Sequence, residues 1–174
     1  PMSARRQRQM CIRDRARLFK NIDTDRSLIF LATTLEESGL LGSEFFANYP
    51  PIDLANVVAG FNFDGILPTG KTKDMAVIGY GASELEELLE RQLLKEGRYI
   101  NPDPNPEKGF FYRSDHISFA KRGVPVLFSD DGFDLIDGGK IAGMEKLYDY
   151  TLNKYHAVND AVSYTHLRAH ETTD

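Results

Sequence analysis

Glu36 and Glu37 stand side by side after an apolar run, Leu28-Ile29-Phe30-Leu31-Ala32, within Thr33-Thr34-Leu35-Glu36-Glu37-Ser38-Gly39-Leu40-Leu41-Gly42-Ser43-Glu44. Adjacent carboxylates can share a hydrolytic reaction, one holding a metal ion while the other handles a proton. The run before them reads as a buried strand. In open α/β sheets, ligands gather at the carboxyl ends of strands. An acidic pair also marks many solvated helix starts, so its meaning depends on its partners.

Three other places offer partners. Asp64 closes Asn62-Phe63-Asp64-Gly65, where it is either a turn aspartate before glycine or a carboxylate ligand at a strand end. His156, in Lys154-Tyr155-His156-Ala157-Val158-Asn159-Asp160, follows a helix, a place where a histidine commonly meets the helix dipole or solvent. Ser114-Asp115-His116 is not a catalytic triad, because three consecutive residues cannot reach triad geometry. Asp115 reads as a helix-start acid, and His116 either lines a pocket or packs.

The rest of the chain must position these groups. Its 174 residues, 41% hydrophobic and 27% charged, suffice for one domain with a real core. No apolar stretch approaches the roughly 20 residues of a membrane span. The net charge of −5 argues against a nucleic-acid partner, since seven of the cations crowd into residues 5–20 and leave the remainder more acidic. One cysteine, Cys11, excludes an intrachain disulfide. Residues 1–15 and 162–174 carry no pattern that continues the domain and are read as foreign or disordered tails around a domain at 16–161.

Between the tails, apolar periodicity predicts strands at Ser27 to Thr33, Ala55 to Phe63, Asp74 to Tyr80 and Val124 to Phe128. Pro125 suggests an edge or entry position for the last. Helices are predicted at Gly42 to Tyr49, with Phe45 and Phe46 inward, at Ser83 to Glu96, after Ser114, and from Ile141 to Lys154. Ser83 and Glu86 form a capping box, and Leu85, Leu88, Leu89 and Leu93 form one stripe. Asn101 to Pro106 reads as an irregular loop. Strands alternating with helices predict an α/β fold with layered packing.

Taken in order, Glu36-Glu37, Asn62-Phe63-Asp64, Tyr112-Arg113-Ser114-Asp115-His116-Ile117-Ser118-Phe119 with Gly123-Val124-Pro125, and Tyr155-His156 strongly resemble the co-catalytic zinc aminopeptidases, metallopeptidase family twenty-eight. The likeness covers about Arg26 to Asp160. It implies a mixed central β-sheet flanked by helices on both faces, and hydrolysis of N-terminal residues from peptides. Glu36 would then be the general base for metal-activated water and Tyr155 a support for the oxyanion. Glu37 and His156 would ligate one zinc, Asp64 the second, and Tyr112, Ser114, Asp115 and His116 would line the substrate pocket. The family also implies a periplasmic or secreted location.

The family pattern further includes an upstream His-x-Asp and a later Asp that bridges both metals. Nothing before Ser27 matches either, so the chain reads as the C-terminal part of the catalytic domain, with little or no activity expected alone. Two other readings stand beside it: a single-zinc glutaminyl cyclase-like acyltransferase, and a non-catalytic peptidase-like binding domain. The preferred N-terminal residue and the oligomeric state are not legible.

Overall fold

The computed structural model describes residues 12–64, 70–155 and 157. The chain divides into two compact units, Thr33–Glu145 and the pair of segments Pro1–Ala32 and Lys146–Asp174. Among the described residues no helix is long and apolar enough to cross a membrane.

In the two-segment unit, helix α1 occupies residues 12–19, and Phe19 stacks on Phe30 with ring centroids 6.0 Å apart. The predicted strand at Ser27 to Thr33 is not a strand. The backbone there is irregular, and Leu28, Ile29 and Phe30 are exposed. A strand needs a ladder partner for its amides and carbonyls, and no described segment pairs with this one. Apolar content alone therefore misread the run.

Thr33–Glu145 holds a four-stranded mixed sheet in the order β1-β4-β2-β3. The strands are β1 (Gly60–Asn62), β2 (Asp74–Val77), β3 (Tyr99–Pro102) and β4 (Val126–Asp131). β1 runs parallel to β4, β4 antiparallel to β2, and β2 parallel to β3. The carboxyl ends of β1 and β4 therefore lie at the same sheet edge as the amino ends of β2 and β3.

The helices are α2 (Leu41–Asn48), α3 (Leu85–Lys95), α4 (His116–Ala120) and α5 (Gly139–Asn153). Leu127 of β4 joins Val77 and Leu85 in the buried core, with Ala59, Leu89 and Ile100 packed around it. The next residue, Phe128, sets its ring 4.8 Å from His116 of α4. Neighbouring residues of a strand face opposite sides, so α3 and α4 cover opposite faces of the sheet, as the family resemblance implies. Residues 126–129 are all buried, the mark of an interior strand covered on both faces. Pro125 accordingly sits at the entry of β4 and not at an edge, and its carbonyl accepts from Gly60 N at 2.8 Å.

Other expectations need correction. Only Gly60–Asn62 of the run Ala55 to Phe63 is a strand. Ahead of it Asp53 caps a 3-10 turn, Leu54–Asn56, by accepting from Ala55 N. Part of the predicted loop at Asn101 to Pro106 is instead strand β3. Pro102 is tolerated there because β3 lies at the sheet edge, where no donor is required of it. On α2 the buried residues are Ser43 and Ala47, while Phe45 is 66% exposed. In α3 only half the capping box forms. The Glu86 carboxylate accepts from the amides of Gly81, Ala82 and Ser83, whereas the Ser83 hydroxyl donates to Val126 O. Glu86 is thus buried by the turn it gathers, and Leu88, placed in the apolar stripe, is exposed.

The most enclosed carboxylate is Asp74, at the start of β2, with 0% exposure. Its Oδ2 accepts from Asn101 Nδ2 at 2.5 Å and Phe133 N at 3.2 Å, and its Oδ1 from Asp134 N at 2.8 Å. A Cβ at Gly132 would lie 2.0 Å from that Oδ1, so the loop can close on the carboxylate only with glycine there. Tyr99 donates to Asp134 Oδ2 at 2.6 Å. That bond, reinforced by burial, pushes the phenol up to about 12.

Candidate active site

Asp64 lies two residues beyond β1, at the edge where β1 and β4 end. Period-two alternation puts Asn62 and Asp64 on the same side of the chain, and the hydrogen bonds reflect it. Asn62 Nδ2 donates to Ser114 Oγ at 2.7 Å, and Ser114 Oγ donates to Asp64 Oδ2 at 2.6 Å. A hydroxyl has one proton to give, so the relay has a fixed direction, amide to hydroxyl to carboxylate. Ser114 is 2% exposed and does not cap α4 with its side chain. It holds Asp64, which is half-buried.

The two glutamates ride on a 3-10 turn, Glu36–Ser38. The segment 34–42 closes on itself through Leu40 N to Glu36 O at 2.9 Å, Leu41 N to Leu35 O at 3.3 Å and Gly42 N to Thr34 O at 2.9 Å. Leu35 and Leu40 on either side adopt left-handed backbone, φ 57° and 62°, a conformation costing a non-glycine residue about 1–2 kcal/mol. Strain of this kind collects where a loop must present side chains in a set direction. At Gly42 a Cβ would sit 2.3 Å from Thr34 O, so glycine lets the turn close. Glu36 is half-buried and Glu37 exposed.

Asp115 and His116 are both buried. Asp115 Oδ2 accepts from Thr33 Oγ1, while among the described residues Oδ1 and both ring nitrogens of His116 have no hydrogen-bond partner. The His116 ring lies between Phe111 and Phe128, each 4.8 Å away. Desolvation lowers its pKa to about 4, the charge of Asp64 opposing the shift, so the ring is neutral near pH 7. Tyr112 is exposed, its ring 5.3 Å from Phe111.

The fold thus joins Asp64 to Ser114 and sets His116 within the field of Asp64. Glu36 and Glu37 belong to the same unit. Tyr155 belongs to the other unit, where it is exposed and its ring lies 6.1 Å from Tyr150. His156 lies outside the described residues. Among the described residues, no three His, Cys, Asp or Glu side chains gather as a metal cluster. Sequence reasoning missed Asn62 and Thr33 as members of the network. The i, i+2 spacing of Asn62 to Asp64 was the available signal.

Compared with known families, the chain matches the model of Peptidase family M28 over residues 11–173. The chain belongs to Peptidase family M28. No curated protein and no solved structure matches it. Membership of M28 supports a peptidase function with peptide substrates, and M28 enzymes are in general metal-dependent. The donor chemistry fits that dependence. Glu37 is an accessible carboxylate, and Asp64 is a carboxylate with a buried hydroxyl and amide stacked behind it, the outer-shell support that orients ligating oxygens.

Proposed function

We propose that this chain carries part of a zinc exopeptidase site that removes N-terminal residues from peptides in an extracytoplasmic setting. The observation that supports it best is the Asn62–Ser114–Asp64 relay, in which a buried hydroxyl and a half-buried amide orient one carboxylate. In this reading Glu37, Asp64 and His156 would hold zinc, which when bound would supply Lewis-acid polarisation of the scissile carbonyl.

The chain's own residues do the rest. Glu36, on the closed turn, would accept a proton from the attacking water as the new C–O bond forms and charge moves to the carbonyl oxygen, then deliver it to the amine nitrogen as that charge returns and the C–N bond breaks. By the family resemblance, Tyr155 would be the residue whose phenol supports the carbonyl oxygen as negative charge builds there. Neutral His116, within the field of Asp64 and packed on Phe111, and the exposed Tyr112 would contribute to the substrate pocket with Ser114 and Asp115.

The test is hydrolysis of aminoacyl amides with added zinc. This chain alone is expected to show little or no turnover. The chain joined to an upstream His-x-Asp segment and bridging aspartate is expected to hydrolyse them in a zinc-dependent manner. Robust turnover by the chain alone overturns the ligand assignment. Cyclisation of N-terminal glutamine in place of hydrolysis moves the assignment to the cyclase reading, and a metal-free, inert joined protein moves it to a binding module.

A further inference from the structure

The turn that carries Glu36 and Glu37 is held at both of its stems by one short helix. Thr33 is the residue before the closed segment 34–42, and it donates to Asp115 Oδ2. Ser43 is the residue after it, and its Oγ lies 3.0 Å from Ser118 Oγ. The Ser43 hydroxyl already donates to Leu40 O at 3.0 Å, so Ser118 is the donor in that pair. Asp115 and Ser118 are three residues apart, neighbours on one helix face. One residue earlier, Ser114 holds Asp64.

Asp115 has no other evident duty. It makes no capping bond to α4, and among the described residues its Oδ1 has no partner despite 9% exposure. A buried carboxylate with a single hydroxyl donor is costly to stability by itself. We propose that Asp115, acting through Thr33, is a positioning residue for the Glu36–Glu37 turn, so that the segment 114–118 sets the glutamates and Asp64 against each other. This rests on the peptidase reading for its purpose, but not for its geometry.

The test uses Thr33→Val, which keeps shape and removes the donor, with Thr33→Ser as rescue. Amide exchange is followed at Leu40, Leu41 and Gly42, which close the turn, and at Tyr99 and Asp103, which bond Lys73 O and Val77 O far along the sequence. Thr33→Val is expected to speed exchange at 40–42 by about ten- to a hundredfold, the loss of one hydrogen bond to a charged acceptor, with 99 and 103 unchanged and Thr33→Ser close to the parent. Zinc affinity, measured by chelator competition with each variant joined to an upstream His-x-Asp segment and bridging aspartate, is expected to fall about ten- to a hundredfold in Thr33→Val and to recover in Thr33→Ser. If Thr33→Val does not fold, Ser118→Ala loosens the other stem and is expected to raise exchange at the same three amides.

Unchanged exchange at 40–42, or an equal rise at 99 and 103, overturns the clamp. Faster exchange at 40–42 with unaltered zinc affinity overturns its positioning role. A parent protein joined to an upstream His-x-Asp segment and bridging aspartate that takes up no zinc counts against the peptidase reading, and the exchange measurement then decides the clamp alone.

Discussion

Asp64 and Asp74 sit at the same edge of the sheet, yet they are built in opposite ways. Asp74 is sealed, with both oxygens taken by Asn101 and the amides of Phe133 and Asp134. Asp64 is half-buried and is held from behind by the Ser114–Asn62 relay. The first arrangement uses a carboxylate to fold a loop. The second orients a carboxylate while leaving part of it accessible. Position at the carboxyl edge of an α/β sheet therefore does not by itself mark a reactive acid. How the oxygens are engaged, and from which side, separates the two.

The comparison breaks most easily at Asp74. Asp74→Ala strands one side-chain amide and two backbone amides in a buried loop, and is expected to cost about 3–5 kcal/mol in urea unfolding. The next effect separates the two sites by pH. In the metal-free chain His116 titrates at about 4 when native and at 6.5 when unfolded. Between those values the unfolded chain binds a proton that the native chain does not. Stability is expected to be whole above pH 6.5 and to fall by about 3 kcal/mol as pH drops to 4. His116→Leu is expected to flatten that slope, read from unfolding curves across the window.

Ser114→Ala is expected to destabilise by about 1–2 kcal/mol, because it leaves the Asn62 amide without its buried acceptor. It is also expected to weaken zinc binding by about ten- to a hundredfold. The smallest change in stability is expected at the accessible acid itself. Asp64→Asn should shift unfolding by about 1 kcal/mol or less while abolishing zinc uptake. A loss at Asp64→Asn as large as that of Asp74→Ala would erase the distinction.

Much of this was legible in the sequence, and the failures have physical causes. The α/β class followed from the alternation of strands with helices, and α3 from its leucine stripe. The candidate acids were found by type and by their position after apolar runs. Leu28 to Ala32 misled because strand identity depends on a partner that composition does not reveal. β3 was missed because three prolines across Asn101 to Pro106 signal a loop, and an edge strand escapes that rule. Thr33 and Ser118 were illegible as site residues, and for Asn62 the i, i+2 spacing to Asp64 placed it beside the acid without naming its partner. Their roles come from hydrogen bonds spanning 50 residues or more to Asp115, Ser114 and Ser43, which no local pattern announces.

The central claim divides the glutamates of the closed turn, Glu36 as base and Glu37 as ligand. The direct measurement is zinc content beside amide hydrolysis for Glu36→Gln and Glu37→Gln, each in the chain joined to an upstream His-x-Asp segment and bridging aspartate. The account predicts that Glu36→Gln keeps its zinc and loses about 10²–10⁴-fold in turnover, whereas Glu37→Gln loses both zinc and turnover. Loss of zinc in Glu36→Gln to the same extent as in Glu37→Gln, or near-normal turnover by Glu36→Gln, would contradict it.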